Sequence, residues 1–356
     1  AGGGGSGGAA GGGGSGGAGA GCSMSNMDVD QPILLSETEC VNMLDPALPA
    51  AGLVPYSVRS ALWSDGATKE RFIRVPDGEK IHVVDCATDA DLCGDPGGGG
   101  DGLDDGHWQV PIGTVLVKSF SIEEKRIETR LLMRRSLTIW KGFSYEWDDA
   151  GTEATLVDDA EYPAGKDKPV GSGTQSWHYP SRSQCLECHI RYAGRSLGPS
   201  TPQLSSDFAY AEGTMNQVDK FEQLGLFDAP PKNLPGLPDP FGPDPLEQRA
   251  RSYLQTNCAI CHRPGGEFSS IDMRFTTPFA DTALCNAVER EVGLVPDYRL
   301  VPGNPADSTM SVRMHSLDHL RMPRIASSVV DTDGSKLIDD WITSLPTEVC
   351  PPQPPL

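Results

Sequence analysis

"DPLEQRARSYLQTNCAICH" runs from Asp244 to His262. Its first half carries the signals of a helix start. Asp244 is the predicted N-cap, Pro245 takes the first helical position, and Glu247 completes a capping box. Leu246, Ala250, Tyr253 and Leu254 then share one face, the spacing of an amphipathic helix. The second half places two cysteines three apart with a histidine directly after the second. The same pattern occurs upstream in "SRSQCLECHI", residues 181–190. The motifs are Cys185-x-x-Cys188-His189 and Cys258-x-x-Cys261-His262.

C-x-x-C-H is the attachment signal for c-type haem. Two thiols three residues apart on a helical turn can each form a thioether with one haem vinyl, and the next residue sets an imidazole under the iron. With 10 cysteines and 7 histidines in 356 residues, chance gives roughly 0.006 such motifs, so two are not an accident. A thioredoxin-like dithiol needs no following histidine and sits in a βαβ unit. Paired C-x-x-C units can hold one structural zinc, but these two are far apart and separated by a proline-rich stretch. The favoured reading is two covalently bound haem c groups, on Cys185, Cys188, Cys258 and Cys261, with His189 and His262 as proximal ligands.

Each iron has a second axial position. For the second haem the sequence offers "DHLRMPRI", in which Met322 directly precedes Pro323. A thioether opposite an imidazole raises the potential and suits an electron carrier. Met273, Met310 and Met314 also follow the motif, but only Met322 sits in a Met-Pro loop before the last helix. For the first haem the distal candidates are His178, His107, His82, Met215 and Met133, with His178 favoured because it lies so close to Cys185 in sequence. An open site stays as an alternative. Arg182 is a candidate partner for a haem propionate. His315 and His319, at helical spacing, could pair on a metal but read better as surface or propionate-contacting residues.

Upstream of the first motif the chain reads as β-rich. "RFIRV" (71–75), "KIHVVDC" (80–86), "GTVLVKSFSI" (113–122), "RIETRLLM" (126–133) and "FSYEW" (143–147) are predicted strands. Phe143, Tyr145 and Trp147 alternate as a half-buried strand should. An acidic insertion (85–107) carries Asp85, Asp89, Asp91, Asp95, Asp101, Asp104 and Asp105. A calcium ion is one occupant for such a loop, although the spacing is not that of an EF-hand; a solvated, disulfide-clipped loop is the plainer reading. "PPKNLPGLPDPFGPDP" (230–245) reads as an extended, semi-rigid linker. Beyond it, Leu337, Ile338, Trp341, Ile342 and Leu345 predict a terminal helix starting near Asp333.

Six cysteines remain outside the motifs: Cys22, Cys40, Cys86, Cys93, Cys285 and Cys350. An even remainder suits disulfides in an oxidising compartment, with Cys86–Cys93 the expected pair and the other four pairing among themselves. No apolar run is long enough for a transmembrane helix. The formal net charge of −20 argues against nucleic acid and anionic membrane surfaces, and favours basic protein partners or plain solubility. Residues 1–21 are Gly, Ala and Ser only, the composition of a flexible tether or a cloning linker. A start at Ala1 without Met is expected of a processed N-terminus. A lipid anchor would then lie upstream of residue 1, since no apolar region precedes Cys22.

"SYLQTNCAICHRPGG", "VPGNPADS", "RMPR" and "DGSKLIDDWITSL" resemble a class I cytochrome c domain over residues 243–347. The resemblance implies a small helical fold around one haem with His/Met ligation. "SALWSDGATKERFIRVPDG", "PIGTVLVKSF", "IETRLLM", "SWHYPSRSQCLECH", "RSLGPSTPQL" and "LGLF" resemble a family of bacterial di-haem c-type cytochromes over residues 55–230. The expected fold class is α+β. The expected organisation is a Gly-rich tether (1–22), an irregular segment (23–55), a β-rich sheet or sandwich domain ending in the first haem segment (56–228), a linker (229–242), an all-α cytochrome c domain (243–347) and a tail (348–356). The expected function is electron transfer between redox partners in the periplasm or on the outer membrane or cell surface of a Gram-negative bacterium. Two alternatives stand beside it. One is a di-haem peroxidase-like enzyme with an open first haem. The other is a subunit of an extracellular filament or larger membrane assembly in which the tail packs on the next copy.

Overall fold

The structure is a computed structural model that describes residues 21–22, 31–93, 102–173, 175–287, 297–324 and 327–353. Residues 1–20 and 23–30 lie outside the described residues, and with them the expectations of a tether, an anchor and tail-mediated assembly. The strands are β1 (Val54–Pro55), β2 (Thr68–Arg74), β3 (His82–Val83), β4 (Trp108–Gln109), β5 (Val115–Ile122), β6 (Lys125–Arg134), β7 (Trp140–Trp147), β8 (Ala154–Leu156), β9 (Lys166–Val170), β10 (Gln175–Tyr179), β11 (Asp207–Tyr210) and β12 (Gly213–Asn216). The helices are α1 (Ala90–Cys93), α2 (Arg182–Cys188), α3 (Thr201–Leu204), α4 (Gln217–Gln223), α5 (Leu246–Asn257), α6 (Thr309–Met314) and α7 (Thr332–Ser344). The chain therefore mixes antiparallel sheets with short helices.

The main sheet runs β1-β2-β5-β6-β7-β8, antiparallel at every step. Its alternation sorts side chains onto two faces. Phe72, Val115, Val117, Leu131, Met133, Phe143, Tyr145 and Trp147 fill one core, into which the Cys22–Cys40 disulfide also packs. Each such side chain contributes roughly 1.5–3 kcal/mol by leaving water. The opposite face sends Ile73, Leu116, Leu132 and Trp140 into a second core with Trp108, Phe221 and Phe227. Between these apolar positions the same face carries Arg71, Lys118 and Arg130, in register across three strands.

Two elements differ from the sequence expectation. "KIHVVDC" keeps only two ladder residues, β3, paired with β4. The hairpin β9–β10 forms from "KDKPV" and "QSWHY", where apolar residues are sparse. Trp177 and Tyr179 fasten it into a third core with Phe120, whose ring centroid is 5.3 Å from that of Trp177.

The stretch beyond residue 243 holds α5, α6 and α7 around a fourth core of Tyr253, Leu254, Leu300, Leu337, Ile338 and Trp341. Helices α5 and α7 meet closely at Gly334, where an added Cβ would lie 2.4 Å from the Tyr253 hydroxyl. The α5 cap is shifted from expectation. Pro245 is the N-cap, with extended backbone (φ −53°, ψ 142°) and no side-chain cap bond, so Asp244 lies outside the helix. Helix α7 begins one residue before Asp333, capped by Asp331, whose carboxylate accepts from Gly334 N at 2.9 Å.

Cys86–Cys93 and Cys285–Cys350 are paired as disulfides, so the six cysteines outside the motifs form three bridges. The proline-rich connection is pinned rather than free: Leu237 is buried, its N–H donates to Pro202 O at 2.7 Å, and Ser252 Oγ donates to Pro238 O at 2.6 Å. Among the described residues, no helix is long and apolar enough to cross a membrane.

Candidate functional site

The first motif sits on α2. Ser181 caps this helix, accepting from Gln184 N while the Gln184 side chain returns to the Ser181 N–H. One short, well-capped turn therefore sets Cys185 and Cys188 on it and His189 at its C-cap. Behind it, β7 supplies Gly142, where a Cβ would lie 2.8 Å from Cys185 Sγ. Only glycine lets the helix sit this close to the sheet. The His189 ring donates from Nδ1 to the carbonyl of Arg195. Arg195 and Leu197 hold left-handed φ of 55° and 60°, the kind of backbone strain that turns a loop to aim a carbonyl. With Nδ1 donating, Nε2 keeps its lone pair, the tautomer a metal-ligating histidine needs. Burial pushes the His189 pKa down to about 4, so the ring is neutral at pH 7.

The second motif follows α5 directly. Cys258 is its C-cap, and the His262 N–H bonds back to Cys258 O at 3.0 Å. Burial likewise lowers His262 to about 4. Among the described residues its Nδ1 is buried without a hydrogen-bond partner.

Both motifs open into one cavity of about 480 Å³, lined by Cys185, Cys188, His189, Cys258, Cys261 and His262. All four thiols are free. Burial raises Cys185 and Cys188 to about 11 and Cys258 to about 12, with the neighbouring Cys261 sulfur adding to the rise at Cys188 and Cys258. Thiols held this high are protonated, the opposite of a reactive redox dithiol. Among the described residues, no three of His, Cys, Asp and Glu converge as a metal-holding group. The cavity thus has an unpaired C-x-x-C on each side and a neutral imidazole after each, with apolar and cationic walls between them.

Met322 lines this cavity, as does Met314, which is mostly buried in the helical core. Met273 lies in that core, and Met310 packs against it. Of the five distal candidates at the first motif, only His178 and His107 line the cavity. His178 has both ring nitrogens engaged, Nδ1 with Asp167 at 2.8 Å and Nε2 with Gln184 at 3.0 Å. His107 Nε2 faces Gly194 O at 3.2 Å. His82 is bonded to Asp228 and Asp89 outside the cavity, and Met133 is buried in the core on the far face of the sheet. Arg182, the candidate propionate partner, meets protein groups. It pairs with Asp159 at 3.2 Å, donates to Gln31 and stacks over Phe143, and it does not line the cavity. The reason is its place at the start of α2, on the side facing the sheet's other core. His315 bonds Asp339 at 2.8 Å rather than pairing with His319.

Four aspartates of the acidic insertion meet protein donors, among them Asp105, which accepts from Cys86 N at 3.1 Å. Asp85 pairs with Lys232, Asp89 with His82, and Asp104 with Arg263; Asp95 and Asp101 lie outside the described residues. Asp104 is the informative one. Burial alone would raise its carboxyl, but Arg263 and Arg274 outweigh this and hold it below the usual range. Arg263 also donates to Tyr192 O at 2.7 Å, in the loop after His189. A second clasp is Asp65, which accepts from Ser328 N at 2.9 Å and Val329 N at 3.1 Å. Sequence reading missed Arg71, Lys118 and Arg130 on the cavity wall. Their signal was Lys118 at an inward position of the otherwise apolar "VLVKSF".

Compared with known proteins, no family model, no curated protein and no solved structure matches the chain.

Proposed function

We propose that the chain is a di-haem c-type cytochrome that carries electrons between redox partners, its helical part after residue 243 being a class I cytochrome c domain. The observation that supports this best is that two C-x-x-C-H motifs, distant in sequence, open into one cavity, with Cys261 near enough to act on the Cys188 thiol. In this reading Cys185, Cys188 and His189 hold the first haem, and Cys258, Cys261, His262 and Met322 the second. Haem supplies one-electron chemistry at a potential set by its ligands and burial. The chain's own work is positional. The α2 cap, Gly142 and the Arg195 carbonyl fix the first imidazole; α5 and its C-cap fix the second. The Asp104 and Asp65 clasps hold the two halves so that the cofactors stay at one separation. Three disulfides fit an oxidising compartment such as the periplasm or cell surface.

A peroxidase-like enzyme is the second reading. It is favoured by one observation: His178 has no free ring nitrogen to offer as a sixth ligand. One experiment weighs both. The haem content of the purified chain is measured as the pyridine haemochrome, and carbon monoxide is then added to the dithionite-reduced protein. Two haems that both ignore carbon monoxide support the carrier. One that binds it supports the enzyme. No haem removes both readings.

A further inference from the structure

Arg71 on β2, Lys118 on β5 and Arg130 on β6 are direct cross-strand partners. All three line the cavity. Like charges set opposite one another in a sheet destabilise it unless an anion lies between them. The carboxylate beside Arg130 is Glu128, which is fully buried and already engaged. It takes Arg130 through two bonds of 2.7 and 2.8 Å, and it also accepts from Trp177 Nε1 at 2.9 Å and from Ser144. Among the described residues, Arg71 and Lys118 have no carboxylate partner. Lys118 is held 4.9 Å from the Phe120 ring centroid, and the Arg130 guanidinium covers the same ring. A fourth cation, Lys69, stands nearby with its ammonium on the carbonyl of Leu62. Burial and its basic neighbours push the Lys118 pKa well down, and in a chain of net charge −20 this concentration of basic groups on one half-buried wall demands an explanation.

The wall also has an address. Cys185 rests against Gly142 of β7, and the row runs from there across β6, β5 and β2, the neighbouring strands on the same sheet face. The second motif is carried instead by the end of α5. The cation row therefore belongs to the first motif. A haem anchored there carries two carboxylates at the edge away from its thioethers. Guanidinium and ammonium groups are the partners such carboxylates take.

We propose that Arg71 and Lys118, with Arg130 beside them, form the carboxylate seat for the propionates of the haem held by Cys185, Cys188 and His189. This rests on the haem reading above. The row positions the cofactor, and its charge favours the reduced, less positive form.

The test uses the full chain with Arg71→Gln, Lys118→Gln and the conservative Lys118→Arg. Haem content, melting temperature and the two reduction potentials are measured. The expected result is a full haem complement, a lowered potential for the first haem in both Gln variants, an unchanged second potential, and a parental value in Lys118→Arg. Unaltered potentials in folded, fully loaded Gln variants overturn the seat. A soluble anion is the rival occupant. If inorganic phosphate shifts the first potential in the parent chain but not in Lys118→Gln, the row is open to solvent anions and the proposal fails. A parent chain without haem fails differently, by removing the reading beneath it.

Discussion

Arg263 Nη2 lies 3.0 Å from Asp104 Oδ2. The arginine directly follows His262, and the aspartate precedes β4, so one ion pair joins the second motif to the sheet-bearing half. The same guanidinium reaches Tyr192 O at 2.7 Å, beside the first motif. The pair is largely buried, with side-chain exposures of 5% and 20%. Removing one partner leaves a buried charge without compensation, which costs about 3 kcal/mol or more. Asp104→Asn is expected to lower stability to urea by that order at pH 7. Because the folded carboxyl is held low, its contribution is present above the ordinary carboxylate range and is lost as pH falls through the lowered folded value. The gap between parent and variant should therefore close in acid.

Gly142 and Cys185 give a steric prediction. Gly142→Ala drives a methyl to 2.8 Å from the thiol sulfur. Either α2 shifts or the sheet bends, at about 1–3 kcal/mol. Intact mass is expected to show chains lacking the first haem while the second remains. A variant that loads fully and melts like the parent would mean that this contact has slack.

His107 predicts a pH dependence. Its ring is 7% exposed, and burial lowers its pKa from 6.5 to about 4. The unfolded chain takes up the proton first, so stability is whole above pH 6.5 and falls as pH drops toward 4. The effect amounts to roughly 3 kcal/mol. His107→Gln is expected to flatten that slope in urea titrations between pH 7 and pH 4, even if it costs stability at neutrality through the lost bond to Gly194.

Met322 and Met314 both line the cavity, and substitution separates them. Met322→Ala is expected to make the second haem bind carbon monoxide and to lower its potential, since the thioether favours the reduced iron. Met314→Leu, a volume-conserving change in the helical core, should leave both properties as they were and cost less than about 1.5 kcal/mol. The reverse pattern would move the ligand to Met314.

Most of the main sheet was legible because its strands alternate apolar residues with a solvent or cavity face. "FSYEW" and "RIETRLLM" needed nothing more. Helix α7 was equally plain from Leu337, Ile338, Trp341 and Ile342. The hairpin β9–β10 was not, because its strands are held by Trp177 and Tyr179 packing under the sheet rather than by their own pattern. The start of α5 was misplaced by one residue because Pro245 fits either the cap or the first turn, and only its extended ψ decides. The two motifs announced themselves through spacing. The cation row did not, because Arg71, Lys118 and Arg130 are ordinary residues until the register sets them side by side. The side that Arg182 takes was not legible either: sequence does not say which side of a short helix a side chain occupies, and Arg182 turns to Asp159 and the Phe143 ring.

The shared cavity has a consequence for how the chain matures. A hollow of about 480 Å³ lies between the cores and leaves the apolar side chains that line it without packing partners on that side. Under the di-haem proposal the occupant supplies those contacts, so it is a structural element of the native state as well as its working part. The empty polypeptide should be loose and open to proteases, and the Asp104 and Asp65 clasps should close last, after loading. On the proposed reading, a protein built this way couples quality control to cofactor delivery: chains that miss their cargo stay less compact.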